Sequence, residues 1–281
     1  MTWNIVCDSS CDMKPSMFES SRVGFQIVPL RILVGGGDFL DDEFLHVPDL
    51  LAAMEAEKAA SSTACPSPAA FAKAFSEADC TVCFTISGNL SGTYNAAMMG
   101  RDLVLEEHPE KRVCIIDSKA TAGAMILLTR RARELIEADE TDDFEGICNQ
   151  LRLYQAALRT CFTRECFDTL IKNGRMRPLV GNLLKTLGIH VIAEATTQGV
   201  IRVAGKAKGE VKTYKGIVDL MRQSKDCTGA DVVISQCENL SGAMKLKETI
   251  LESLPVNRVD IVSCRGLTSF YAMEKGLIIG Y

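Results

Sequence analysis

Through the first half of the chain, short apolar runs alternate with longer stretches in which apolar residues recur every third or fourth position. The first pattern is that of buried strands, the second that of amphipathic helices. Strands are predicted at Asn4 to Cys7, Gln26 to Val34, Thr81 to Ile86 and Val113 to Ile116. Helices are predicted from about Val47 to Ala60, from about Ser67 to Ala78, after Ser91, and in a long stretch reaching about Ala138. Strand and helix in alternation imply an α/β fold with a mainly parallel sheet. Ligands of such sheets sit at the carboxyl ends of the strands, where this chain places Asp8-Ser9-Ser10, Ser87 to Thr93 and Asp117-Ser118.

The acidic stretch Ala138 to Glu145 reads as a solvated connection, and a linking helix follows from Asp143 to Gln155. Beyond it the pattern changes, so two domains are expected, 1–155 and 156–281. In the second, strand-like CFTRE precedes a helix through Leu170, the turn NGRMRP and helix-like GNLLKTLG. GIHVIAEATT and VIRVAGKA, joined by Gln198 and Gly199, read as a β-hairpin. A helix from Tyr214 to Ser224, the strand ADVVISQ, a helix through Leu251, the strand VDIVSC and a terminal amphipathic stretch complete an α/β or α+β layered domain. The tetrapeptide NLSG occurs at Asn89 and again at Asn239, which reads as shared strand-loop-helix grammar.

The chemistry concentrates in TVCFTISGNLSGTYNAA, Thr81 to Ala97, where a strand pattern runs into a Ser/Gly loop that opens onto a helix. The first helical turn carries unpaired N–H groups and the positive end of the macrodipole, and small residues let a ligand approach the backbone, so such a loop can hold an anion. Ser87, Ser91 and Thr93 add hydroxyl donors, while no Lys follows Gly92 as a triphosphate-gripping loop requires. Neutral donors suit a single negative charge such as a carboxylate. The competing reading is a tight turn with an N-cap. Upstream, Thr63-Ala64-Cys65-Pro66-Ser67-Pro68 makes Ser67 an N-cap and Pro68 the first helical residue. This rigid entrance either presents Thr63 or only starts the helix.

The 281 residues are 47% hydrophobic, ample for buried cores. A net charge of -5 and a pI near 5.4 leave no basic footprint for nucleic acid. No run approaches the roughly 20 apolar residues that cross a bilayer, and the N-terminus lacks a basic-then-apolar signal, so a soluble cytoplasmic protein is expected. Most of the 12 cysteines sit inside apolar runs, as buried reduced thiols do. Cys80 and Cys83, three apart in a strand, face opposite ways, and His46, His108 and His190 are isolated, so no metal is expected.

Nucleophilic chemistry has two candidates. Ser91 lies in GNLSG, one position late for a G-x-S-x-G elbow and without a nearby His and acid. Cys264 has Arg265 beside it but no oriented base. Asp8 and Asp12 could share a metal, but Asp12 is read as the N-cap of the following helix; Asp41, Asp42 and Glu43 are read as a solvated loop.

Taken in order, DSSCD, VPLRI, STACPSPAAF, NLSGTYNAA, IIDSKATAG and KNGR resemble the DegV family of bacterial lipid-binding proteins, over nearly the whole chain. The resemblance implies a Rossmann-like N-terminal domain and a layered C-terminal α/β domain with a long-chain fatty acid buried between them. It implies a carrier with no catalytic group or cofactor of its own. Family members that serve bacterial fatty acid kinase hand the acid to an ATP-binding kinase subunit, which phosphorylates the carboxylate to an acyl phosphate, and lipid exchange would bring contact with a membrane surface. Carried onto this chain, the carboxylate-binding residues are Thr63 and Ser91, with Gly92 and Thr93 beside the latter. The family's Gly-Gly-Arg turn matches Asn173-Gly174-Arg175, which sets Arg175 near the head group or the partner. Where the family has a His before a Gly-containing loop, this chain has Cys264-Arg265-Gly266, so Cys264 and Arg265 take that place. Leu183, Leu184 and Leu187 are candidates for the acyl tunnel or for ordinary core. The alternative is an enzyme acting on a small carboxylate or acyl phosphate through Ser91 or Cys264.

Overall fold

The computed structural model describes residues 1–57, 61–141, 143–164, 167–176 and 188–281. The expected helix GNLLKTLG, with Leu183, Leu184 and Leu187, lies outside the described residues but for its last residue, Gly188.

β1 (Trp3–Asp8) is buried at every position, which is why its sequence WNIVCD shows no polar alternation. β2 (Val23–Val28) pairs with it in parallel. The apolar pattern carries that second strand on to Val34, but the structure ends it at Val28, where Pro29 has no N–H to give to a ladder. Arg31–Val34 is instead β3, in a separate sheet. It turns through Gly35 and Gly36, with φ of 57° and 82°, onto β4 (Gly37–Leu40), since a two-residue hairpin of this hand needs left-handed backbone at both turn positions. After α1 (Val47–Ala56), β5 (Ser62–Ala64) pairs with the other edge of β3 and sets Thr63 opposite Ile32.

α2 (Pro68–Phe75) starts as the sequence predicts, with Pro68 in its first turn and the Ser67 hydroxyl accepting the Ala70 N–H at 3.2 Å. β6 (Cys80–Thr85), α3 (Thr93–Glu107) and β7 (Arg112–Asp117) complete a parallel sheet of order β2-β1-β6-β7. Cys80 packs with Trp3 on one face of this sheet and Cys83 with Phe71 and Phe75 on the other. α4 (Gly123–Ala138) and α5 (Phe144–Ala157) then lead out of it.

The mixed sheet is built from β8 (Thr160–Arg164), β9 (Ile189–Ala195), β10 (Ile201–Lys208), β11 (Asp231–Gln236), β12 (Arg258–Ser263) and β13 (Leu277–Gly280), in the order β10-β9-β8-β13-β11-β12. Helices α6 (Asp168–Lys172), α7 (Glu210–Ser224), α8 (Leu240–Ser253) and α9 (Gly266–Ala272) connect its strands. β9 and β10 form the expected hairpin, Gly199 supplying a φ of 74° at its tip. The terminal stretch is not one amphipathic element. It divides into α9 and the wholly buried β13, which is inserted between β8 and β11 because LIIG is apolar on both faces and needs cover on both.

α4 packs against β1 and β6 on one side and β11 and β13 on the other, and its N-terminal half is buried all round. Gly123 allows that approach: a Cβ there would lie 2.5 Å from the Val233 carbonyl oxygen. The result is an α/β fold with a parallel sheet, a mixed sheet and a small antiparallel sheet of β3, β4 and β5. Among the described residues no helix is long and apolar enough to cross a membrane, and no cluster of three metal-ligating side chains occurs.

Candidate functional site

The loop after β6 is anchored at its root by Asp8, whose carboxylate accepts the Ile86 N–H at 2.6 Å and the Ser10 N–H at 2.9 Å. Leu90 and Ser91 then donate their N–H groups back to the Ser87 carbonyl, so the chain turns tightly into α3. Ser91 and Thr93 hydroxyls lie 2.8 Å apart at that helix start, and Gly92 is its N-cap with no side-chain cap of its own. Thr63, carried on β5, approaches from the three-stranded sheet. Its hydroxyl sits 3.1 Å from that of Tyr271 on α9.

Elements late in the chain cover this loop. The Ser87 hydroxyl donates to the Gly199 carbonyl at 2.8 Å and the Asn89 amide to the Gln198 carbonyl at 2.6 Å, so the hairpin tip docks on it. Only glycine fits at that tip, because a Cβ on Gly199 would lie 2.2 Å from the Ser87 Oγ. Arg175 donates from Nε to the Leu90 carbonyl at 3.1 Å.

Beneath these contacts lies a cavity whose wall includes Thr63, Ser91, Arg175 and Tyr271 together with Leu30, Ile86, Phe162, Leu267 and Ile278. About 70 Å³ of free space lies between these walls. The void is therefore a narrow slot, mostly carbon-lined, with several hydroxyls and the side chains of Arg164 and Arg175 on its wall. That shape and polarity suit an extended apolar chain ending in a single small anionic or polar group.

Thr63, Ser91 and Arg175 line the cavity, and Thr93 touches Ser91 from behind. Cys264 and Arg265 do not line it. Cys264 packs with Leu51, Cys237 and Ala272, and burial pushes its thiol well up, away from the thiolate a nucleophile needs. Arg265 is buried and turned the other way, donating to the carbonyls of Asp41 at 3.1 Å and Met13 at 3.4 Å.

Two sequence expectations about acids are overturned here. Asp12 caps no helix: the next element is a single 3₁₀ turn at Pro15–Met17 preceded by Lys14, while the Asp12 carboxylate accepts the Arg265 N–H at 2.8 Å and the Thr268 hydroxyl at 2.5 Å. Asp41 is not in a solvated loop. It is fully buried and accepts the Gly266 and Leu267 N–H groups, each at 2.8 Å, capping α9 from a distant segment. Desolvation raises the carboxyls of Asp8 and Asp12 to about 6 and also raises that of Asp41, against the pull of Arg265. Asp12 and Asp41 hold α9 in place, and α9 carries Leu267, Thr268, Tyr271 and Ala272 to the cavity wall.

The sequence pattern does not single out Tyr271 or Arg164 as site residues. The positions 267, 268, 271 and 272 do have the spacing of one helical face, but a Tyr in an apolar segment reads as core. Arg164, only 3% exposed, lies on the cavity wall, donates to the Tyr271 carbonyl and has its guanidinium 5.6 Å from the Phe167 ring centre. Its signal was a lone charge closing an apolar strand.

Comparison with known proteins places the chain. The family model described as "Uncharacterised protein, DegV family" matches residues 2–277. DegV domain-containing proteins of Streptococcus pyogenes serotype M1 and Streptococcus pneumoniae are 33% and 34% identical, each over 100% of this chain and 99% of their own length. Among solved structures, the fatty acid kinase B3 protein of Streptococcus pneumoniae, loaded with linoleic acid, superposes with a TM-score of 0.94 at 33% identity over 100% of this chain and 99% of its own. A DegV family protein of Eubacterium eligens loaded with heptadecanoic acid gives 0.92 at 32% identity, over 99% of both chains. With the family model covering nearly every residue and full-length relatives a third identical, the chain belongs to the DegV family.

Proposed function

We propose that this protein is a fatty-acid carrier that buries a long acyl chain in the slot, between an N-terminal unit of residues 1–155 and a C-terminal unit of residues 156–281, and presents the carboxylate at the Thr63 and Ser91 hydroxyls. The observation that carries this reading is the narrow, mostly carbon-lined cavity with Thr63, Ser91 and Arg175 on its wall. The related structures loaded with linoleic and heptadecanoic acids support the ligand class. Burying about 15 methylenes contributes roughly 12 kcal/mol gross, at about 0.8 kcal/mol each, before the costs of immobilisation. The tail supplies affinity. Ser91, Thr93 and the amides at the start of α3 orient the head group and favour a negative charge there, and the Arg175 guanidinium on the same wall adds a countercharge.

In this reading the carrier supplies no catalytic group, and an ATP-dependent kinase subunit phosphorylates the presented carboxylate. The kinship with a fatty acid kinase B protein supports that partner. Mass spectrometry of lipid extracted from the denatured protein tests the carrier role: stoichiometric long-chain fatty acid is expected, and repeated absence of lipid together with no uptake of added fatty acid would overturn it. Formation of acyl phosphate on addition of the cognate kinase subunit and ATP tests the presentation step.

A further inference from the structure

Besides Arg175, which donates to the Leu90 carbonyl in the Ser/Gly loop, the slot wall carries a second cation. Arg164 closes β8 two residues after Phe162, so both side chains leave the strand on the same face. Their register partners on β9, Val191 and Ala193, pack there with Phe167 and Leu170. The strand therefore sends a guanidinium, only 3% exposed, into an apolar cluster and onto the slot wall. Two contacts fix its place. Nη1 donates to the Tyr271 carbonyl in the last turn of α9, where helix carbonyls have no partner within the helix, and the guanidinium carbon lies over the Phe167 ring, 5.6 Å from its centre. Tyr271 spans two polar points of the slot, its hydroxyl 3.1 Å from that of Thr63 and its carbonyl on Arg164. Other hydroxyls on the wall are turned to protein acceptors: Thr121 to the Ser10 carbonyl at 3.3 Å, Thr163 to the Val191 carbonyl at 3.0 Å and Thr268 to the Asp12 carboxylate at 2.5 Å. Arg164 differs in kind, because a guanidinium carries five N–H donors in a rigid fork and keeps its charge when buried.

Resting on the carrier reading above, we propose that Arg164 makes the slot selective for oxygenated acyl chains, long-chain fatty acids that bear a hydroxyl or oxo group away from the carboxylate. The carboxylate is held at Thr63 and Ser91, the chain runs past Tyr271, and the added oxygen accepts an N–H from the Arg164 guanidinium. Methylenes laid against that group only strip water from its charge, whereas an oxygen at the same height along the chain is a matching acceptor. Tying the chain at two points also fixes its register in the slot. An unsubstituted acid still gains from burial of its tail against Leu30, Ile86, Leu267 and Ile278, so it binds, but without this second anchor.

A displacement titration on the full-length protein tests this, with stearic acid, hydroxystearic acids in which the hydroxyl is moved along the chain, and the matching oxostearic acids as competitors. One position in the series should bind about tenfold more tightly than stearic acid, and positions to either side of it less so. Comparison of the hydroxy and oxo arms at that position identifies the preferred oxygen. Arg164→Met, which keeps an unbranched side chain on the wall, should erase the positional preference while stearic acid still binds. A role confined to holding the end of α9 would lower affinity for every acid alike and leave no dependence on where the oxygen sits. The proposal is overturned if stearic acid binds as tightly as every oxygenated isomer, or if the preference survives in Arg164→Met. Should no acid bind, stearic acid included, the carrier reading fails and this inference falls with it. The positional series on the parent protein decides alone, so a variant that fails to fold does not shield the proposal.

Discussion

The hydroxyls of Thr63 and Tyr271, 208 residues apart in sequence, lie 3.1 Å from each other on the wall of the slot. This contact joins β5 of the small antiparallel sheet to α9 of the C-terminal region, and it positions the donor that the head group would meet. Tyr271→Phe keeps the ring and its edge-on packing against Phe270 but removes the hydroxyl. Fatty-acid binding should weaken by about 1 kcal/mol, roughly fivefold, in a calorimetric titration with unchanged unfolding behaviour. Equal affinity would remove Tyr271 from the site.

Ser91→Ala removes both a donor toward the carboxylate and the partner of Thr93. Affinity for a long-chain fatty acid should fall by about 1 to 3 kcal/mol. The matching alcohol, which lacks the charge, should lose less. A direct comparison of the two ligands on both proteins checks this, and a loss of the same size for acid and alcohol would count against a carboxylate contact.

Asp41→Ala should destabilise the fold by about 3 to 5 kcal/mol, because it strips the acceptor from two buried N–H groups and leaves the Arg265 guanidinium buried without its carboxylate. Glu43→Ala, two positions on and exposed, should stay within about 0.5 kcal/mol of the parent. Urea unfolding measures both.

Stability should rise on mild acidification. The native carboxyls of Asp8 and Asp12 are raised from 3.8 to about 6 by burial, so between those values the native state holds protons that the unfolded chain has released. Unfolding free energy therefore increases as pH falls through 6 toward 4, by at most about 3 kcal/mol for each group. Melting temperatures between pH 7.5 and pH 5 show the trend. In Asp12→Asn, which keeps an oxygen for the Arg265 N–H and the Thr268 hydroxyl, the rise should shrink, with Asp8 and the likewise raised Asp41 supplying what remains, and an undiminished rise would assign it to other groups.

Local grammar makes much of the molecule legible in its sequence. Ser67 and Pro68 start α2, Gly199 turns the β9–β10 hairpin, and Cys80 and Cys83 lie on opposite faces of β6, as spacing and capping preferences predict. The boundary at Val28 was misread because an apolar run spans Pro29 without a change in periodicity, although the missing N–H ends the strand. Asp12 was misread as a cap because Asp before a short turn is ordinary helix-start grammar, whereas its partners lie 253 and 256 residues away.

The sequence by itself determined the alternation of strand and helix and the Ser/Gly loop from Ser87 to Thr93, because these depend on residues within a turn or two of one another. Tertiary structure decided that Asp41 is a buried cap, that Arg265 points away from the slot and that Tyr271 faces Thr63. Burial and direction at those positions are set by segments that meet only when α9 docks against the N-terminal loops, and no periodicity along the chain records which distant groups will remove their water.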